Sequence, residues 1–249
     1  MEITSVNNEL VKETVKLQQK KYRTQTGKFL LEGYKAIKEA FDFGIKIEKI
    51  FVEKSKTAEY NFAKNLIIET NAAVLKKLAT TDSAPEAVAV GIKKIYDKNI
   101  LKKSKNVLLL ENIKDLGNLG TIIRTSTAFG VDAIVLYGES VDIYNPKCVR
   151  ASVGNLWKVP IFHLTKFDEL SEIFEKFERV ATLPRSKNLL KTYKPNYPVL
   201  VMFGSEADGL SEDLIKFSTA SVKIEMSKDV ESLNLATSVA VILYKIYCS

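Results

Sequence analysis

The sequence predicts an α/β protein made of two successive α/β domains, the second built on a parallel sheet. Three observations carry this. Short apolar runs alternate with amphipathic stretches along nearly the whole chain, the pattern of helices packed against a sheet. The alternation is interrupted at YDKNILKKSK, residues 96–105, which is charged, lacks an apolar period and reads as a linker. Beyond it, Val107-Leu108-Leu109-Leu110 is an all-apolar run of the kind that a parallel sheet buries on both faces. The 249 residues are therefore expected to form a small domain over 1–95 and a larger one over 106–249.

In the first domain, Ser5 or Asn7 can cap a helix in which Leu10, Val11, Val15 and Leu17 recur near helical spacing. The polar stretch 22–28 reads as a flexible loop. Strand 29–31, helix 34–43, strand 47–52, helix 59–63, strand 66–69, helix 72–78 and strand 88–92 follow. In the second domain the order is strand 107–110, helix 119–129, strand 133–136, helix 146–153, strand 159–162, helix 167–177, strands 179–182 and 199–203, helix 211–217, strand 220–224 and a final helix 233–247.

Composition narrows the function. Apolar residues at 46% and charged residues at 27% are those of an ordinary soluble domain. No apolar run approaches the ~20 residues needed to span a bilayer. The opening MEITSVNNELVKETVK is too charged for a signal-peptide core, so a cytoplasmic protein is expected. Cys148 and Cys248 form no CxxC or Cys/His cluster, so they read as reduced structural thiols and no metal is expected. The one histidine, His163, stands at a strand end with no triad or metal partner nearby, which points any proton chemistry away from histidine.

The net charge of +7 is unevenly placed. Residues 1–104 hold 20 Lys and Arg against 13 Asp and Glu, whereas 105–249 hold 17 of each. The excess is densest at Lys12, Lys16, Lys20, Lys21, Arg23 and Lys28. Two readings stand: the basic part docks a polyanion, or it is the solvated surface of a lysine-rich protein.

Three segments carry surplus polar groups, the first two of them beside glycines. In the first, Asp115–Gly130, a buried strand leads through Gly117, Asn118 and Gly120 into a helix, whose free amides attract anions. The spacing is not GxGxxG, so by itself this is a weak phosphate loop. Arg124 interrupts an apolar or small-residue run there, either as a snorkelling surface residue or as a placed functional group. In the second, the buried strand 199–203, with Met202 next to its end, meets Gly204. A turn then carries Glu206 and Asp208, and Ser211 caps the next helix. Helix capping does not account for a carboxylate at the tip of a central strand, where α/β sheets build ligand sites. In the third, Ile224 and Met226 end a strand, and a loop reaches a helix that opens with Ser232, Leu233 and Asn234. Capping needs only Ser232, which leaves Asn234 surplus.

The segments NLGTIIRTSTAFG, FGSEADGLS and IEMSKDVESLNLATSVA, in this order, resemble the three motifs of the SpoU/TrmH family of RNA ribose 2'-O-methyltransferases, in the knotted SPOUT superfamily. The stretch Asn145–Gly154 is similar to the family's region between its first two motifs. RTQTGKFLLEGYKAIKEA and APEAVAV are similar to the ribosomal-protein-like RNA-binding domain that many members carry first. Departures are few: Leu116 replaces a frequent proline, Ala207 and Ala87 a frequent glycine, and Ser205 a frequent asparagine.

The resemblance implies a C-terminal trefoil-knotted, parallel-sheet methyltransferase domain behind a small α/β RNA-binding domain. It implies S-adenosyl-L-methionine as cofactor, held around Met202, Gly204, Ile224, Met226 and Leu233. Asn118, Arg124, Glu206, Ser232 and Asn234 would line the reaction site, with Arg124 as the activating group. RNA contacts are expected at Lys20, Lys21, Arg23, Lys28 and Arg150. A homodimer is expected, with ribosomal RNA as substrate. The alternatives are transfer RNA, or a non-catalytic RNA-binding protein of the same fold. A Rossmann dinucleotide enzyme is disfavoured because GxGxxG and a ribose-binding acid after the next strand are lacking.

Overall fold

The computed structural model describes residues 1–227, 229–230 and 232–248, in two units. The first unit takes residues 1–95 and 142–157. Its strands β1 (Glu2–Ile3), β2 (Lys28–Glu32), β3 (Ile47–Glu53), β4 (Ile67–Thr70) and β5 (Ala87–Ile92) form one sheet in the order β1-β4-β3-β5-β2. The first three in that order run parallel, and β5 is antiparallel to β3 and β2. Helices α1 (Glu9–Lys16) and α4 (Ala72–Leu78) bury Val11, Val74, Leu75 and Leu78 with Leu30, Phe51, Ile68, Val88 and Val90. Helix α3 (Tyr34–Asp42) buries Ile37 and Ala40. The first helix is capped by Asn8, which accepts from the Leu10 N–H at 2.9 Å, rather than by Ser5 or Asn7. The expected helix 59–63 is part of a 3₁₀ stretch, Lys54–Leu66.

Two parts of this unit depart from the sequence reading. The expected loop at 22–28 is largely the helix α2 (Lys20–Thr26), closed by Gly27 in the left-handed conformation at φ 66°. Its buried anchor is a charge, so no apolar period announces it. Arg23, 1% exposed, donates to Asp142 at 2.8 Å and to the carbonyls of Leu17 (3.0 Å) and Gln18 (2.8 Å). The second departure is the segment 142–157, read as part of the C-terminal domain, which the structure groups with the N-terminal residues. There Phe29 lies between Tyr144, at 4.7 Å, and Trp157, at 5.4 Å between ring centroids. The helix of this segment, Pro146–Ala151 (α7), buries Cys148 and Val149, and burial pushes the Cys148 thiol up to about 12.

The second unit takes residues 96–141 and 158–249. Strands β6 (Asn106–Glu111), β7 (Ala133–Tyr137), β8 (Ile161–Leu164), β9 (Glu178–Thr182), β10 (Val199–Phe203) and β11 (Ala220–Val222) form an all-parallel sheet in the order β11-β9-β10-β6-β7-β8. Every residue of β6 and β10 is buried, as their apolar runs require. Helix α5 (Asn99–Lys103) occupies the expected linker and sets Leu101 into the core of this unit. One buried leucine among lysines is too little to show an apolar period. Helices α6 (Leu116–Ala128), α8 (Phe167–Ile173), α9 (Glu212–Phe217) and α10 (Leu235–Tyr247) complete the unit, and α6 packs on α10. Among the described residues no helix is long and apolar enough to cross a membrane.

Candidate active site

Chain order reverses in this sheet at β6. Strands β7 and β8 are laid down on one side of it, and β10, β9 and β11 lie on the other. Such a point opens a crevice at the carboxyl ends of the strands. The loops that follow β6 and β10 leave from adjacent strands there.

The first loop ends on Asp115, whose side chain accepts from the Asn118 N–H at 2.6 Å and so caps α6. This places Asn118 in the first turn. The second loop is closed on itself: Ser205 and Gly209 exchange two backbone hydrogen bonds of 3.1 Å. Its far end is tied down by Glu111, a carboxylate 5% exposed at the tip of β6, which accepts from the Ser211 N–H at 2.8 Å. Ser211 caps α9, as expected. Glu206, carried on this turn, reaches Asn118.

The three loops meet in one chain of hydrogen bonds. Asn118 Nδ2 donates to Glu206 Oε1 at 2.8 Å, and Asn234 Nδ2 donates to Asn118 Oδ1 at 3.1 Å. Asn234 Oδ1 accepts from the N–H groups of Ala236 (2.9 Å) and Thr237 (3.3 Å), at the start of α10. Each amide thus has its oxygen and nitrogen assigned by its neighbours. The cap of α10 is Asn234 rather than Ser232, and the surplus polar group of the sequence reading is the one that both caps and connects. Asn234→Ala is expected to cost about 1 kcal/mol, or about 2–4 °C in melting temperature. Asn234→Ser keeps a capping oxygen without setting a second oxygen against Asn118 Oδ1, and should recover most of that loss by calorimetry; equal losses in both variants would refute the capping role.

Beside the third loop lies a groove of about 350 Å³, lined by Pro184, Leu189, Ile224, Met226 and Val230 among others. The backbone N–H and C=O groups of Ile224 and Met226 make no hydrogen bond among the described residues. Lys223, Glu225 and Ser227 line the same groove, and apolar side chains beside polar ones and open backbone donors and acceptors suit a flat heterocycle with polar edges. Lys228 and Glu231 of this motif lie outside the described residues.

The remaining expected residues fall into separate groups. Arg124 is exposed on α6 and has no hydrogen-bond or ion-pair partner among the described residues. Ser232 and Leu233 are exposed ahead of α10 and do not line the groove. Met202, expected beside the cofactor, is instead fully buried in the core opposite Leu109, so its side chain stabilises the sheet. Gly204 serves the turn itself, since a Cβ there would stand 1.8 Å from the carbonyl carbon of Gly209. Of the expected RNA contacts, Lys20 and Lys21 are exposed. Arg23 is corrected to a buried structural group. Lys28 pairs with Glu48, and Arg150 donates to Thr80 (2.6 Å) and Glu32 (3.2 Å), so neither charge is free. His163 bonds the Gly138 carbonyl at 2.7 Å. Among the described residues no cluster of His, Cys, Asp or Glu could hold a metal. Sequence reasoning missed Asp115, which its position three residues before Asn118 could have flagged as a cap. It also missed Pro184 and Leu189, for which no local signal exists.

An all-parallel α/β unit with polar loops joined at a strand-order reversal has the arrangement in which open α/β sheets place their ligand sites. Residues 105–244 match the SpoU rRNA Methylase family, and the chain belongs to that family. Residues 8–89 match the MRM3-like substrate binding domain. A Synechocystis protein named as an uncharacterized tRNA/rRNA methyltransferase is 34% identical, over 98% of this chain and 92% of its own. The 23S rRNA (guanosine(2553)-2'-O)-methyltransferase RlmP of Bacillus subtilis is 26% identical over 98% of both chains. The crystal structure of an AdoMet-bound rRNA methyltransferase from Sinorhizobium meliloti superimposes with a TM-score of 0.88 at 28% identity, covering 98% of this chain and 96% of that one.

Proposed function

We propose that this chain methylates a ribose 2'-hydroxyl of ribosomal RNA, using S-adenosyl-L-methionine, at the junction of Asn118, Glu206 and Asn234. The observation that carries the reading is that junction: side chains 88 and 116 positions apart in sequence share one hydrogen-bond chain. The names of the similar proteins supply the substrate class. The cofactor, when bound, supplies an electrophilic methyl group on a positively charged sulfur.

The groove residues fit such a cofactor. Ile224 and Met226 would hold the adenine edge through their open backbone groups, with Pro184, Leu189 and Val230 against its faces. The junction fixes the loops that surround the reacting atoms, so that alignment rather than flexibility governs the transfer. Methyl transfer turns the sulfonium into a neutral thioether, and the 2'-hydroxyl proton passes to solvent. Arg124 offers only donors, so it is not the acceptor of that proton. It stabilises negative charge growing on the 2'-oxygen and grips the neighbouring phosphate. Ser232 lies exposed two residues before the cap, on the loop that brings Asn234 to the junction.

A homodimer is part of this reading. Val241, Tyr244 and Tyr247 of α10 are exposed, with Tyr244 at 59%, and Phe129 packs its ring beside both tyrosines. An apolar face of this kind suits a second copy; light scattering should return twice the chain mass, and the mass of one chain would overturn the dimer. Transfer RNA stands as a second reading, because the Synechocystis relative carries both substrates in its name.

The test is incubation with unmodified total RNA and methyl-labelled cofactor, followed by mapping of 2'-O-methyl positions. Label at one ribose of large-subunit ribosomal RNA is expected. Label confined to transfer RNA selects the second reading, and RNA without label overturns both.

A further inference from the structure

Several lysines of the first unit face carboxylates, among them Lys38 with Asp42 (2.6 Å), Lys54 with Glu2 (3.2 Å) and Lys56 with Glu59 (3.0 Å). Around α2 the arrangement differs. Lys16, Lys20 and Lys21 are exposed, and neither they nor Lys93 form an ion pair among the described residues. The acid at this place, Asp142, is committed to the buried Arg23. Three of these four lysines meet rings instead: Lys16 and Lys21 stand 5.9 and 5.8 Å from the centre of Tyr22, and Lys93 stands 5.1 Å from Tyr144.

Lys93 is half-buried. Burial, and then the charges of Arg23 and Lys20, hold its ammonium below the usual lysine range, against the pull of Asp142. Like charges gathered without counterions oppose folding. An arriving anion reverses that cost, and the rings keep the ammonium groups in place for it.

We propose that Lys16, Lys20, Lys21 and Lys93 form a strip that binds successive phosphates of the RNA backbone. The strip takes the place of Arg23, Lys28 and Arg150, whose charges are matched within the fold. It rests on RNA being the substrate, and it names where the first unit grips it.

The test measures affinity for an unmodified large-subunit ribosomal RNA transcript as salt is raised. Each lysine that neutralises a phosphate contributes about 0.9 to the slope of log affinity against log salt. Lys93→Gln should lower the slope by about one, and the triple variant Lys16→Gln, Lys20→Gln, Lys21→Gln by about two to three. Lys93→Arg should keep the slope, which separates charge from folding damage, and Lys56→Gln should not change it. Unchanged slopes in both the Lys93→Gln and triple variants overturn the strip while leaving the methyltransferase reading intact. A parent chain that binds no RNA overturns the two together.

Discussion

Arg124→Ala is expected to lower methyl transfer by about 10²–10³-fold, the usual cost of removing one group that stabilises developing charge. Cofactor affinity should stay within twofold or so, because Arg124 does not line the groove. Arg124 is exposed and without a partner among the described residues, so its removal should leave the melting temperature within a degree or two. Single-turnover transfer at saturating RNA, with cofactor binding by calorimetry on the same preparation, makes the comparison. Transfer within tenfold of the parent, about 1.4 kcal/mol, would falsify the role. Arg124→Lys keeps the charge but loses the two-pronged grip on phosphate, and an intermediate rate is expected.

Gly204→Ala is the second large effect. The added Cβ would lie 1.8 Å from Gly209 C, 2.0 Å from its oxygen and 2.1 Å from Leu210 N. All three are backbone atoms, and the Ser205–Gly209 hydrogen bonds hold that backbone in place. Relief requires opening the turn, at a cost of about 3 kcal/mol or more, or roughly 6–12 °C in melting temperature. Opening it also draws Glu206 away from Asn118, so transfer should fall even below the new melting point. Gly209→Ala makes an informative contrast. Its φ is 69° with nothing within 4 Å of an added Cβ, so backbone strain alone acts, at about 1–2 kcal/mol. If Gly204→Ala melts with or above Gly209→Ala, the close approach is not what reserves position 204 for glycine.

Much of the second unit was legible because its signal is local. The all-apolar runs of β6 and β10 are buried on both faces, and the glycine and capping pattern at 204–211 opens a helix where expected, whereas α6 starts at Leu116, three residues before the expected 119. Glu206 and Asn234 were each visible as polar groups that helix capping did not require, and Asn118 as part of a weak phosphate loop. Their joining was not visible, since a hydrogen bond between positions 118 and 234 leaves no periodic trace. The same limit misplaced the cap of α10 at Ser232. Either residue is a good cap by type, and only the loop path selects Asn234.

Charges mark the boundary most clearly. The sequence by itself determined that positive charge is concentrated before residue 105, that the later residues alternate into a buried parallel sheet, and which polar groups stand at its loops. Tertiary structure alone decided what each charge does. Arg23 and Lys20 are three residues apart on α2, yet Arg23 is buried against Asp142, 119 positions away, and Lys20 faces solvent. Apolar periodicity reports burial because transfer from water depends on the side chain itself. Burial of a charge depends on a partner that the rest of the fold brings to it, and that partner is absent from the local sequence.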